Sequence, residues 1–185
     1  MSVLETMRQD IAAIPPEATT GEAKWFAIQT RARHEKKVDA QLQEKGIEAF
    51  LPLSKEVHQW SDRQRVVRQP LFSGYLFVHI ADAAEVRRSI LTTSGVCWFV
   101  GNRGAGLPIP DKQIHDIQTI LTNAVPFSPF PFVRLGQRVR IRGGCLDGVE
   151  GILISKDSEK TVVVSVELVR RSLAVRINGY DLEEA

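Results

Sequence analysis

Apolar and polar residues alternate with the two-residue period of a β-strand in several short stretches of this 185-residue chain. The most apolar stretch, residues 71–78, contains no charge and is typical of a buried strand. Gly74 predicts a sharp turn inside it, with the strand proper following. Alternation places Tyr75 and Phe77 together on one face. A face that no helix covers would be an apolar patch ready for a partner. A strand buried on both faces is the alternative.

The first half of the chain predicts an α+β domain over residues 24–123. Strands are predicted at 24–30, 47–53 and 96–100, with a hairpin over 57–68. Helical periodicity and capping signals predict helices over 31–45 and 83–92 and a third that opens at Asp111. Three helices on a mostly antiparallel sheet define an α+β fold. Residues 1–23, with a proline pair and weak periodicity, are expected to form a disordered or weakly ordered tail.

The second half predicts a separate small all-β domain. Residues 124–131 carry three prolines and two phenylalanines, which favours an extended linker and excludes a regular helix. The pattern leaves open whether these phenylalanines are exposed or lie against either domain. Residues 132–185 contain four or five short strand candidates separated by glycine turns, which is typical of a small barrel. The run 136–151 resembles a KOW motif, whose glycines and apolar positions correspond here to Gly136, Val139, Ile141, Gly143, Gly144, Gly148 and Gly151.

Composition and charge exclude several classes of protein. The two cysteines are far apart, and the four histidines lie in separate elements without metal-ligand spacing, so we expect no metal, no cofactor and no enzyme activity. No apolar run approaches the roughly 18 residues that a membrane span needs, and the first residues lack the apolar core of a secretory signal. We therefore expect a cytoplasmic monomer. A net charge of +2 is too small to indicate nucleic-acid binding by itself.

The strand after Gly74 and the KOW-like run, in this order, resemble the NusG family of transcription elongation factors. The sequence is most similar to specialised paralogues of the RfaH and UpxY antiterminator type. The resemblance implies an NGN domain followed by an SH3-like KOW barrel. It further implies that the aromatic face binds the clamp helices of the largest subunit of RNA polymerase. The residues expected to do so are Trp25, Phe72, Tyr75 and Phe77.

The resemblance also suggests further partners. A basic group before and within the first helix would face the DNA of the elongation complex: Arg31, Arg33, His34, Lys36 and Lys37. The barrel would recruit a second partner through Leu168, Val169 and Arg170, with ribosomal protein S10 as the family precedent. At the place of the family's Phe-Gly-Arg motif this chain has Val169-Arg170-Arg171, which argues against binding Rho and favours a specialised paralogue.

Two alternatives remain open at this stage. One is a general NusG housekeeping factor. The other is a KOW-type RNA-binding module associated with the ribosome, suggested by the alternating residues Arg138, Arg140 and Arg142 and by the pair Arg170-Arg171. The charge of the barrel argues against this RNA-binding alternative. Residues 134–185 contain nine Lys and Arg and eight Asp and Glu, a net charge of +1, whereas ribosomal RNA binders are usually strongly basic.

Overall fold

A computed structural model describes residues 22–60, 63–130, 132, 136–156, 159–177 and 179–185. The predicted tail therefore lies outside the described residues except for its last two positions. The turn expected at Ser61 and Asp62 lies outside them as well. The elements divide into a mixed α+β part followed by an all-β part, which confirms the predicted fold class.

A five-stranded antiparallel sheet forms the centre of the N-terminal domain. Its strands are β1 (Lys24–Thr30), β2 (Glu48–Phe50), β5 (Tyr75–Ile80), β6 (Val96–Phe99) and the two-residue β7 (Pro108–Ile109). The strand order is β2-β5-β1-β6, and β7 also pairs with β1. The central strands β1 and β5 read as apolar runs because both of their faces are covered. The strand predicted at 47–53 is shorter than expected, because Pro52 interrupts it.

Three helices cover the two faces of this sheet: α1 (Glu35–Glu44), α2 (Ala84–Leu91) and α3 (Asp111–Thr122). Helices α1 and α2 share one apolar cluster with one face, where Val38, Leu42 and Ile90 are fully buried. The isoleucines of α3 belong to a second cluster, on the opposite face, together with Trp25 and Phe77. The alternation that separates Tyr75 and Phe77 from their aliphatic neighbours therefore divides the core into two layers.

The first helix begins four residues later than the sequence predicts. Arg33 has a φ of 63°, a left-handed conformation that a right-handed helix cannot contain. The buried carboxylate of Glu35, in the first turn, accepts a hydrogen bond of 2.8 Å from the main-chain N–H of Gly74. Gly74 itself has a φ of 81°, which favours glycine at this turn. Helix α1 is thereby tied to the turn that leads into β5.

A long hairpin, β3 (Leu53–Trp60) and β4 (Arg63–Pro70), forms a separate two-stranded sheet. Its antiparallel register runs from the pair Leu53 and Pro70 to the pair Trp60 and Arg63. This hairpin is the one predicted over 57–68, extended at its base. Leu71 follows it and donates its N–H to the carbonyl of Pro52 at 2.9 Å, which joins the hairpin base to the start of the aromatic strand.

The C-terminal part of the chain is a six-stranded antiparallel sheet with a buried apolar interior, as expected of a small barrel. Its strands are β8 (Phe127–Phe130), β9 (Gln137–Arg142), β10 (Glu150–Lys156), β11 (Glu159–Val166), β12 (Arg171–Arg176) and β13 (Asp181–Glu184). They follow the order β13-β9-β10-β11-β12-β8. Val139 and Ile141 of the KOW-like run point inward and are buried. A Cβ at Gly151 would lie 2.5 Å from the main-chain oxygen of Val163, so the two strands approach closely only because this position is glycine.

The proline-rich segment contributes β8 to this sheet, which the sequence did not predict. It pairs with β12, with Phe130 opposite Ser172 and Phe127 opposite Val175. Pro129 has no N–H to donate, so it is tolerated because β8 is an edge strand. The open question about the phenylalanines is resolved for Phe127, which packs half-buried against the barrel cluster.

Candidate functional site

The open end of the aromatic face is a row of three residues on adjacent strands. Gln29 of β1 is paired with Tyr75 of β5 on one side and with Trp98 of β6 on the other. Residues directly opposite each other in antiparallel pairs point to the same face, so the three side chains stand side by side. Tyr75 is half-buried, and Trp98 is 49% exposed. We call Trp98, Gln29 and Tyr75 the aromatic row.

Three of the four aromatic residues expected to be exposed are buried instead. Phe77 is 0% exposed, and Phe72 and Trp25 are also buried. The rings of Phe72 and Phe77 pack edge to face with centroids 6.1 Å apart, and Trp25 stacks on His79 at 4.8 Å. The sequence expectation of a bare aromatic surface is wrong at these positions, because the three rings belong to the apolar cluster that also contains the isoleucines of α3 and the interior of the barrel. These rings support the aromatic row from beneath and from one side.

Trp98 is the exposed aromatic residue that the sequence analysis missed as a candidate for binding. It lies on β6, the edge strand of the sheet. Alternation within β6 already separates Trp98 from the fully buried Phe99. The face to which it points depends on the pairing with Gln29, which a single sequence does not reveal.

The predicted basic group lies beside the start of β5. Arg31, Arg33, Lys36 and Lys37 are exposed, and His34 is half-buried with its Nδ1 3.0 Å from the carbonyl of Ala32. Lys36 donates to the main-chain oxygen of Arg68 at the end of the hairpin. The structure thus brings all five predicted residues into one surface segment beside the main chain of Arg68. A concentration of exposed cations of this kind is the electrostatic signature of phosphate binding.

Helix α2 carries an arginine whose side chain packs against the sheet. The Arg87 guanidinium lies 4.8 Å from the ring centre of Phe26 and 4.7 Å from that of Phe99. It also donates a hydrogen bond to the carboxylate of Asp82, just before the helix. The interaction with Arg87 lowers the pKa of Asp82. Arg87 therefore has a structural role between α2 and β6.

The alternating arginines of the barrel are paired with carboxylates. Arg140 makes two hydrogen bonds to Glu150, of 2.7 and 2.9 Å, and Arg142 pairs with Glu183 at 2.5 Å. Arg138 approaches Glu167 at 3.4 Å. Each of these three positive charges is thus matched by a nearby negative one, so the alternating arginines do not form a free basic strip.

The turn between β11 and β12 contains the residues expected to bind a second partner. Val169 is buried, Leu168 is half-buried, and Arg170 is exposed with a φ of 52°. The Arg170 guanidinium lies 5.9 Å from the ring centre of Phe132. Only Leu168 and Arg170 therefore offer a side chain at the surface.

The two domains contact each other through α3. Its isoleucines and the interior of the barrel belong to one continuous apolar cluster. Around this contact, side chains of α3 and of the residue that follows it form hydrogen bonds with main-chain atoms of the barrel: Lys112 with the oxygen of Gly148 at 2.7 Å, Gln113 with the N–H of Glu167 at 3.1 Å, Asp116 with the N–H of Glu150 at 3.3 Å, and Asn123 with the oxygen of Cys145 at 3.0 Å. We call these four side chains the α3 latch.

The latch contains a buried charge. Asp116 is 3% exposed, and Lys112 pairs with it at 2.9 Å. Burial raises the pKa of Asp116, although the hydrogen bonds from Lys112 and from the N–H of Glu150 act in the opposite direction. The carboxylate of Glu150, itself bound to Arg140, adds to the upward shift. A helix-surface aspartate is buried in this way because the barrel covers it.

Among the described residues, no group of three or more His, Cys, Asp or Glu side chains is arranged to hold a metal ion. A search of the same residues finds no helix with the length and apolar character needed to cross a membrane. The surface features described above are the aromatic row, the basic segment and the contact between α3 and the barrel.

The described chain thus consists of an antiparallel sheet with three helices, followed by a six-stranded β-sheet region consistent with a KOW domain. Residues 23–118 match the family model described as NusG, transcription termination factor. This chain belongs to the NusG family, which confirms the family prediction.

Curated relatives of this chain carry the name transcription termination/antitermination protein NusG. The one from Borreliella burgdorferi is 27% identical over 181 residues, covering 86% of this chain and 97% of that protein. The one from Lactococcus lactis is 27% identical over 172 residues, covering 86% and 92%. Among solved structures, one described as "Domain interaction in Thermotoga maritima NusG" is 20% identical, with a TM-score of 0.50, covering 88% of this chain and 97% of that one. This likeness shows a shared fold.

Proposed function

We propose that this chain is a transcription elongation factor that binds RNA polymerase through the aromatic row and has no catalytic activity of its own. The observation that carries the proposal is the exposure of Trp98 beside Tyr75 on the face that the family resemblance assigns to the clamp helices. Large aromatic side chains at the centre of an interface supply much of its binding energy. A helical element laid across the row would cover the Trp98 ring and the open side of Tyr75.

The buried aromatic residues support this surface without touching the polymerase. Phe72 and Phe77 fill the layer under α3, and Trp25 is stacked on His79. Their role in binding is to hold β5 in place, so that Tyr75 keeps its position. This assigns the direct contacts to two residues, Tyr75 and Trp98.

Binding measurements with purified core RNA polymerase test the proposal. Trp98→Ala and Tyr75→Ala are each expected to weaken binding by about 2 kcal/mol, or about 30-fold in Kd. Leu91→Ala is the matched control, because Leu91 is 45% exposed on α2, away from the row. Wild-type affinity for both aromatic variants would refute the proposed surface.

We further propose that the basic segment guides the DNA of the elongation complex. It adjoins the turn before Tyr75, because Glu35 is bonded to Gly74 and Lys36 to the end of the hairpin. Replacing Lys36 and Lys37 with Gln should reduce the salt dependence of DNA binding, by about one unit of log–log slope for each phosphate that the variant no longer neutralises. An unchanged slope would show that these lysines are exposed to solvent and do not neutralise DNA phosphates.

We propose antitermination as the regulatory outcome, with recruitment of a second partner by the barrel. The departure at Val169-Arg170-Arg171 supports this reading, since a buried valine stands at the place of the phenylalanine in the family's binding motif. A transcription assay with purified polymerase and a template carrying a terminator should show more read-through when the protein is added. Equal or lower read-through would favour the housekeeping alternative. The ribosomal RNA-binding alternative loses part of its support, because Arg138, Arg140 and Arg142 are paired with carboxylates.

A further inference from the structure

We infer that the cleft between α3 and the barrel is a docking site for the N-terminal segment of the same chain, and that residues 4–14 occupy it as a short amphipathic helix. This inference goes beyond the proposed function and does not depend on it, because the cleft shares no residue with the aromatic row. It assigns an occupant to a surface that has no part in the proposed polymerase contact.

The cleft is large and has apolar walls. It has a volume of about 800 Å³ and lies between the start of α3 and strands β10 and β11. One wall is formed by Leu107, Pro108 and Pro110, which are exposed, and Leu107 keeps 42% of its surface open to solvent. The barrel contributes Ile152 and the half-buried Leu168 to the other wall. Clefts of this size at a domain boundary, with mainly apolar walls, are typical binding sites.

The described part of the chain begins next to this cleft. Glu22 lines a smaller pocket together with Pro108 and Pro110, and the same two prolines line the cleft. Residues 1–21, which lie outside the described residues, therefore join the structure beside it. The seven residues between Ile14 and Glu22 span at most about 25 Å when fully extended. The apolar part of the segment is thus tethered within reach of the cleft.

The weak periodicity of the N-terminal segment is concentrated in one apolar stripe. Its members recur at intervals of three or four residues: Leu4, Met7, Ile11 and Ile14. This spacing places four apolar side chains on one face of a helix. Ser2 and Glu5 have the spacing of a capping box before the stripe, and Pro15 ends the helical pattern after it. A helix of about twelve residues is marginal in water by itself, so the stripe needs a surface that covers it.

Charge and tethering both favour this occupant. The cleft is lined by cations and anions, among them Lys112, Arg138 and Glu167. The polar positions of the segment also carry both signs, at Arg8 and Asp10. Because the segment belongs to the same chain, its effective concentration at the cleft is about millimolar, so modest apolar packing is sufficient to hold it.

Hydrogen exchange of the full-length protein, followed by mass spectrometry, tests the docking. The amides of residues 4–14 should exchange about 10-fold more slowly in the wild-type protein than in the double variant Met7→Asp/Ile11→Asp. Thr6→Asp/Gln9→Asp is the matched control, because it adds the same two charges to the opposite face of the helix and should keep the protection.

The cleft is tested by its own pair of variants. Leu107→Gln should remove the protection of the N-terminal segment, because it makes the exposed wall of the cleft polar. Leu91→Gln is the matched control, since Leu91 is 45% exposed on α2 and does not line the cleft. It should leave the exchange of the segment unchanged.

A photo-crosslink identifies the occupant. Replacing Met7 with p-benzoylphenylalanine keeps an apolar side chain in the stripe, and this side chain should react with residues that line the cleft, such as Leu107 or Leu168. An equal mixture of isotope-labelled and unlabelled chains distinguishes the chain's own segment from that of a second copy, because a crosslink within one chain never joins labelled to unlabelled peptides.

Three results would overturn the inference. Crosslinked peptides of mixed labelling would show that a second copy occupies the cleft. A crosslink only at other surfaces, or none, would show that the segment does not dock there. Equal exchange of the wild-type protein and Met7→Asp/Ile11→Asp would show that the stripe is not covered. None of these measurements uses polymerase, so their outcome is separate from that of the proposed function.

Discussion

The Phe77 ring offers the sharpest test of the division between supporting and contacting aromatic residues. It is fully buried, and its ring centre lies 6.2 Å from that of Phe50 and 6.1 Å from that of Phe72. Phe77→Ala removes a complete aromatic side chain from a packed layer and leaves a cavity, which destabilises proteins by about 3–5 kcal/mol. With a urea m-value of roughly 2 kcal/mol/M, the unfolding midpoint should fall by about 2 M.

Tryptophan fluorescence during a urea titration reports this change in the correct domain, because all three tryptophans precede residue 99. Trp98→Ala is the comparison, since truncating an exposed side chain changes stability by about 0.5 kcal/mol or less. The two variants should thus separate, with Phe77→Ala losing stability and Trp98→Ala losing polymerase affinity. If Phe77→Ala unfolded at the wild-type urea concentration, the ring would not be in the packed layer, and the assignment of contacts to Tyr75 and Trp98 would be wrong.

Three further predictions follow from the described contacts. Gly151→Ala should destabilise the barrel by about 3 kcal/mol, because its Cβ meets a main-chain oxygen of β11, and amide exchange in the barrel strands should increase while exchange in α1 stays unchanged. Lowering the pH from 7 to about 4 should favour the arrangement in which the barrel contacts α3. The reason is that burial raises the pKa of Asp116, so formation of the contact is linked to proton uptake. A fluorescence distance between the two domains measures this change, and Asp116→Asn should reduce its dependence on pH. Glu35→Ala should lower the free energy of unfolding by about 1–3 kcal/mol, because the N–H of Gly74 loses its acceptor, whereas Glu44→Ala, exposed on the same helix, should have little effect in the same urea titration.

Much of the local structure could be predicted from the sequence, because it depends on neighbouring residues. The uncharged apolar run identified β5, and the isoleucine spacing identified α3. The glycines of the KOW-like run identified the barrel. The predicted start of α1 was wrong, because Arg33 adopts a left-handed conformation that an arginine in a sequence does not indicate.

Exposure could not be predicted in the same way, because it depends on which element lies over a face. The pattern showed that Tyr75 and Phe77 share a face, but not that α3 covers one and leaves the other at an edge. The register that brings Trp98 beside Gln29 joins strands that are far apart in the chain. The contact between α3 and the barrel depends on main-chain atoms, whose positions cannot be inferred from residue types.

The pairing of β8 with β12 has a consequence for how far the barrel can travel. Helix α3 ends at Thr122 and β8 begins at Phe127, so only four residues connect two ordered parts. Fully stretched, they span about 14 Å. With so short a connection, the barrel can only rotate about the end of α3, and it remains at about millimolar effective concentration beside the helix. Whenever the two parts of the chain separate, the contact between α3 and the barrel therefore re-forms as an intramolecular step.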